Sequence, residues 1–97
     1  MKNAGPTPVI CDFWASWCGP CQRIAPTFEA LAGEFDGRVK FAKVNADKAL
    51  PILQEYAVRS IPTFIVFKNG EEVDRKTGAC DKGTLTGFLK ECIEGEK

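Results

Sequence analysis

Ninety-seven residues with 44% hydrophobic and 27% charged side chains suit one domain with a modest core and exclude a disordered chain. Thirteen basic residues balance thirteen acidic ones and form no basic block, so the electrostatic footprint of a nucleic-acid binder is missing. No apolar run approaches the roughly 18 residues of a membrane span, and Met1 to Pro8 lack the apolar stretch of a secretory signal, so a cytoplasmic location is expected.

Residues 1–8, with Gly5-Pro6-Thr7-Pro8, read as an irregular segment, and residues 9–97 as the domain. Val9 to Trp14 is apolar except for Asp12, the pattern of a strand buried on both faces of a parallel sheet. From Cys18 a helix is predicted. Pro20 suits its first turn, and Ile24, Phe28, Leu31 and Phe35 share one face. Pro26 predicts a kink, and Asp36-Gly37 an end. Val39 to Asn45 reads as a second strand. Asp47 is the expected cap of a short helix carrying Leu50, Leu53 and Tyr56 on one side.

Val58 to Pro62 is a connection, and Thr63 to Phe67 a third strand. Asn69-Gly70 predicts a type I′ turn into a fourth strand near Glu72–Thr77. Asp81 caps a last helix whose face is Leu85, Phe88, Leu89, Cys92 and Ile93. The order β-α-β-α-β-β-α is that of an α/β domain. A right-handed βαβ unit and an antiparallel hairpin build a mixed sheet of about four strands flanked by helices.

Five cysteines are an odd number, so a full disulfide framework would leave one over. Two of them stand in Trp17-Cys18-Gly19-Pro20-Cys21, at the junction of strand and helix. Thiol–disulfide exchange needs a thiolate nucleophile and a second thiol within reach. A helix N-terminus favours an anion, so Cys18 is assigned as nucleophile and Cys21, one turn on, as resolving thiol. A zinc half-site shares the spacing. It needs two more ligands, and the chain has no His and no second cysteine knuckle. A carboxylate inside an apolar strand should hold its proton to unusually high pH, which suits Asp12 to proton exchange. An Asp12 at a solvated strand edge is the alternative.

The run Val9-Ile10-Cys11-Asp12-Phe13-Trp14-Ala15-Ser16-Trp17-Cys18-Gly19-Pro20-Cys21 resembles the active-site strand and loop of the thioredoxin family. The likeness continues through Ile24-Ala25-Pro26, Phe41 to Asn45, Ile61-Pro62-Thr63-Phe64, Phe67 to Gly70 and Gly78-Ala79. It implies a thioredoxin fold and a protein-disulfide reductase. Asp12 would accept the proton of Cys21, and Lys43 would neighbour that acid, although Lys43 also reads as an ordinary surface lysine. Pro62 would be a cis-proline facing the dithiol, with Ile61 contacting substrate. Trp17, Gly19, Pro20 and Gly78 would form the docking rim, with Trp14 packed beneath. The resemblance implies no bound cofactor beyond a redox-active Cys18–Cys21 disulfide. Partners would be disulfide-bearing proteins and a thioredoxin reductase, with NADPH acting only through a flavin-containing reductase, or electrons arriving through a ferredoxin-linked one.

The family's usual first strand and helix have no counterpart in the eight residues before Val9. Their absence would put the Val39–Asn45 strand at a sheet edge and uncover part of one sheet face, favouring low stability or a homodimer across that face. Cys11 and Cys92 read as inert core thiols, and Cys80 as a partly exposed one open to glutathionylation or dimerisation. Two rival functions remain. An oxidase or isomerase of the same fold is opposed by Gly19-Pro20, which resembles the reducing members. A non-catalytic binding subunit is opposed by the intact cysteine pair.

Overall fold

The apolar run at Val9 forms β1 (Val9–Trp14), buried on both faces, as a central strand requires. The computed structural model describes residues 7–94. Of the irregular segment expected over residues 1–8, residues 1–6 lie outside them, as do the last three residues of the domain. After β1 come α1 (Gly19–Glu34), β2 (Lys40–Asn45), a 3₁₀ turn (Ala46–Lys48), α2 (Leu50–Glu55), β3 (Thr63–Lys68), β4 (Glu71–Thr77) and α3 (Lys82–Glu94). The expected element order is observed, with the 3₁₀ turn added.

The strands lie in the order β2-β1-β3-β4. β1 runs parallel to β2 and antiparallel to β3, and β3 and β4 form the hairpin. Asn69 and Gly70 take left-handed backbone, φ 56° and 80°, as a type I′ turn demands. Asp81 caps α3 as expected, accepting the Thr84 N–H at 2.8 Å.

Two apolar layers hold the sheet. On one side Ile24, Phe28 and Leu31 of α1 meet Ile10, Phe64 and Val66, and Leu85 and Leu89 of α3 complete the layer. Phe28 meets Phe41 edge-on at 5.1 Å between ring centroids. On the other side Val9, Cys11, Phe13, Ile65 and Phe67 pack under Ile52, Leu53, Tyr56 and Val58.

Several expectations need correcting. Asp47 caps no helix: Asn45 caps the 3₁₀ turn by accepting the Asp47 N–H, and Ala49, at the N-cap of α2, offers no side-chain cap. Leu50 leaves the apolar side expected of it and stands 60% exposed. α1 runs on as one helix through Pro26, which stands on its exposed side and has no N–H to donate to the Gln22 carbonyl. β2 is a sheet edge, pairing only with β1 among the described residues, and no strand or helix precedes β1 among them. The face expected to lie open is nevertheless buried over β1 and β3, and half-buried at Ala42 and Val44 of β2. The segment from Ile52 to Ile61 packs against it. A homodimer therefore loses most of the apolar surface expected to drive it, and the β2 edge is what stays open.

Candidate active site

The strand-to-helix junction places the dithiol. After β1 a turn at Ser16-Trp17 is held by the Cys18 N–H donating to the Ala15 carbonyl at 3.1 Å. The Gln22 amide donates to the Ser16 carbonyl and clasps the same turn. Cys18 then stands at the N-cap of α1 in extended conformation, with Gly19 and Pro20 as the first helical residues. Helix N-caps ordinarily use an oxygen to accept an unpaired N–H. Here the acceptor is sulfur: the Cys21 N–H donates to Cys18 Sγ at 3.2 Å. Cys18 and Cys21 are joined as a disulfide, their Cα atoms 5.3 Å apart. In the reduced protein the same donor and the helix dipole would favour a Cys18 thiolate.

Asp12 is 1% exposed, which rules out the solvated-edge alternative. Strand alternation puts it on the face of Ile10, against α1, at the end of β1 from which the active-site turn departs. Neither carboxylate oxygen finds a hydrogen-bond partner among the described residues. Burial pushes its pKa up to about 6, against an opposing pull from the Lys43 charge. Lys43 is the register partner of Asp12 on β2. Its side chain is exposed, with Nζ 5.3 Å from the Trp14 ring centroid, so the lysine serves both readings made of it. Trp14 is half-buried beneath the site.

The Ile61–Pro62 peptide bond is cis. The Ile61 carbonyl oxygen lies 4.0 Å from Cys18 Sγ. The Pro62 carbonyl accepts the Gly78 N–H at 2.8 Å, tying this turn to the end of β4. Gly78 has φ 98°, a conformation that side chains resist, so glycine is required there. Trp17 is 69% exposed and shares a groove with Ile61 and Leu50. Pro20 lines a second groove with Arg23 and Ala79. Of the expected rim residues, Trp17 and Ile61 thus line one groove and Pro20 a second.

Two contributors were invisible to sequence reasoning. Asp47 accepts the Trp17 indole N–H at 3.0 and 3.1 Å, across thirty residues of chain. Arg75 donates to the Tyr56 carbonyl at 2.7 Å and to Glu72, and so holds the end of α2. No local pattern signals either contact. Among the remaining cysteines, burial pushes Cys11 up to about 11. Cys80 is half-buried and its thiol is also raised by burial, which disfavours the thiolate that a modification site needs. Among the described residues no group of three or more His, Cys, Asp or Glu could hold a metal ion, and no helix is long and apolar enough to cross a membrane.

A cysteine pair at a helix N-terminus, following a strand that carries a buried acid and lying beside the residue before a cis-proline, defines a protein of thiol–disulfide exchange. Residues 2–91 match the family model described as thioredoxin. The thioredoxin of Porphyra purpurea is 46% identical over 86 residues, covering 89% of this chain and 80% of that protein. Thioredoxin 1 of Nostoc sp. (strain PCC 7120 / SAG 25.82 / UTEX 2576) is 45% identical over 83 residues, covering 86% of this chain and 78% of its own. The chloroplastic M-type thioredoxin of Pisum sativum is 50% identical over 87 residues, 90% of this chain and 51% of that one. The chain belongs to the thioredoxin family of dithiol–disulfide oxidoreductases.

Proposed function

We propose that the protein is a general protein-disulfide reductase. The observation that carries this reading is the Cys18–Cys21 pair at the start of α1, with Asp12 buried on the α1 side of the sheet. The Cys18 thiolate attacks one sulfur of a substrate disulfide. A Cys18–substrate bond forms, the substrate bond breaks, and the first substrate sulfur leaves as thiolate. Cys21 passes its proton to the Asp12 carboxylate and attacks Cys18 Sγ. The Cys18–Cys21 bond forms and the second substrate sulfur leaves, so two electrons have moved to the substrate. An acid titrating at about 6 suits this step, since it is largely ionised at neutral pH yet takes up a proton readily.

A thioredoxin reductase drawing on NADPH would return the pair to the dithiol. The setting of this chemistry is a reducing one, in keeping with the cytoplasm, and imaging a tagged chain tests that part. The central test is insulin reduction coupled to NADPH and a purified reductase. Turnover that disappears in Cys18→Ser and in Cys21→Ser is expected. Turnover that survives Cys18→Ser overturns the assignment of the nucleophile, and no turnover in the unmodified protein overturns the reading.

A further inference from the structure

The reductase reading leaves open how a substrate is chosen, and the groove on the α2 side of the dithiol carries features that bear on it. Trp17 and Leu50 are the large hydrophobic side chains that stand exposed among the described residues, and both line this one groove. Leu53, Val58 and Ile61 continue its apolar wall, and Asp47 and Arg59 are its charged members. The two charges are not equivalent. The Asp47 carboxylate is engaged by the Trp17 indole. Arg59 is exposed and has no ion pair or hydrogen bond among the described residues. Lys48, exposed and next to Asp47 in the chain, is of the same sign.

Resting on the reductase reading, we infer that this groove selects substrate segments with an acidic side chain close to the reactive cysteine and an apolar one beside it. A partner sulfur bonded to Cys18 is held near the Ile61 carbonyl, because Cys18 Sγ lies 4.0 Å from it. From Ile61 the chain runs back through Ser60 to Arg59. Both Arg59 and Ile61 line the groove, and in a partner segment lying extended along it two residues span about 7 Å and return a side chain to the same face. A partner segment lying along this stretch therefore brings the side chain two positions from its cysteine against Arg59. A carboxylate there would pair with the guanidinium, and an ammonium would be repelled. Leu50 and Trp17 offer the apolar seat at the other wall.

The test uses two disulfide-linked peptides that differ only in Glu or Lys two positions from the cysteine. Rates of reduction by the full reduced chain are compared as the Glu-to-Lys ratio within each protein, so a general loss cancels. The unmodified protein is expected to favour the Glu peptide about three-fold, the scale of an exposed charge pair. The preference should shrink at high salt. Arg59→Glu should invert it. Leu50→Ser should slow both peptides and leave the ratio alone, and an unchanged rate removes Leu50 from the surface. A ratio of one in the unmodified protein, or the same ratio in Arg59→Glu, overturns the assignment of the groove alone. Failure to reduce either peptide overturns the reductase reading, and this inference with it.

Discussion

The two faces of the sheet are covered in different ways. One is packed by two full helices whose inward residues, Phe28, Leu31, Leu85 and Leu89, are essentially inaccessible. The other lies under α2, six residues long and without a buried residue of its own. That short cover is pinned at its end by Arg75, which captures a backbone carbonyl rather than adding to the core. The difference separates two tasks. The helical face supplies stability and holds Asp12. The α2 face trades packing for a groove beside the dithiol, with Leu50 and Arg59 turned outward.

Core truncation on the two faces should give the widest contrast. Phe28→Ala is expected to cost about 3–5 kcal/mol in urea unfolding, and the half-buried Ile52→Ala about 1 kcal/mol. Equal losses would break the comparison. Asp12 gives the next effect. Its folded pKa of about 6 lies above the usual carboxylate value of about 3.9. Below pH 4 both states are protonated and burial costs nothing. As pH rises to about 6 the unfolded chain gives up its proton first, so stability falls, and above that the loss is complete. The gap between Asp12→Asn and the parent should therefore grow in the variant's favour by roughly 3 kcal/mol from low pH to pH 7.5. A gap independent of pH would remove the carboxylate from the buried face.

Arg75→Met should cost about 1 kcal/mol and hasten amide exchange around α2, with α1 unaffected. Faster exchange in α1 as well would mean that the two faces are not separable. Asp47→Ala should be smallest, within about 0.5 kcal/mol. It should shift the indole N–H resonance of Trp17 while leaving that of the buried Trp14 nitrogen in place.

The helical face was the more legible of the two, for a physical reason. Ile24, Phe28, Leu31 and Phe35 repeat at helical spacing because they share one buried surface, so a linear pattern records a packing fact. The Asn69-Gly70 turn and the Asp81 cap are legible because their chemistry is local. The α2 face depends on contacts between distant residues. Asp47 carries the chemistry of a cap, yet serves Trp17 thirty positions away, while Asn45 does the capping. Leu50 looks like a core residue by type alone, and Arg75 looks like an ordinary strand cation. The cis bond at Pro62 came only through family likeness, since no residue pattern distinguishes the minority isomer.

The sulfur that caps α1 joins two quantities usually measured apart. The Cys21 N–H that satisfies the helix end is the same donor that would steady a Cys18 thiolate. Oxidised and reduced, folded and unfolded, form a closed thermodynamic square. Any gain in folding free energy that the cap confers on the reduced form beyond what it gives the disulfide form must reappear as a loss of reducing power. Changes to this first turn that alter the thiolate cap more than the disulfide one should therefore move thermal stability of the dithiol form and its tendency to give up electrons in opposite directions.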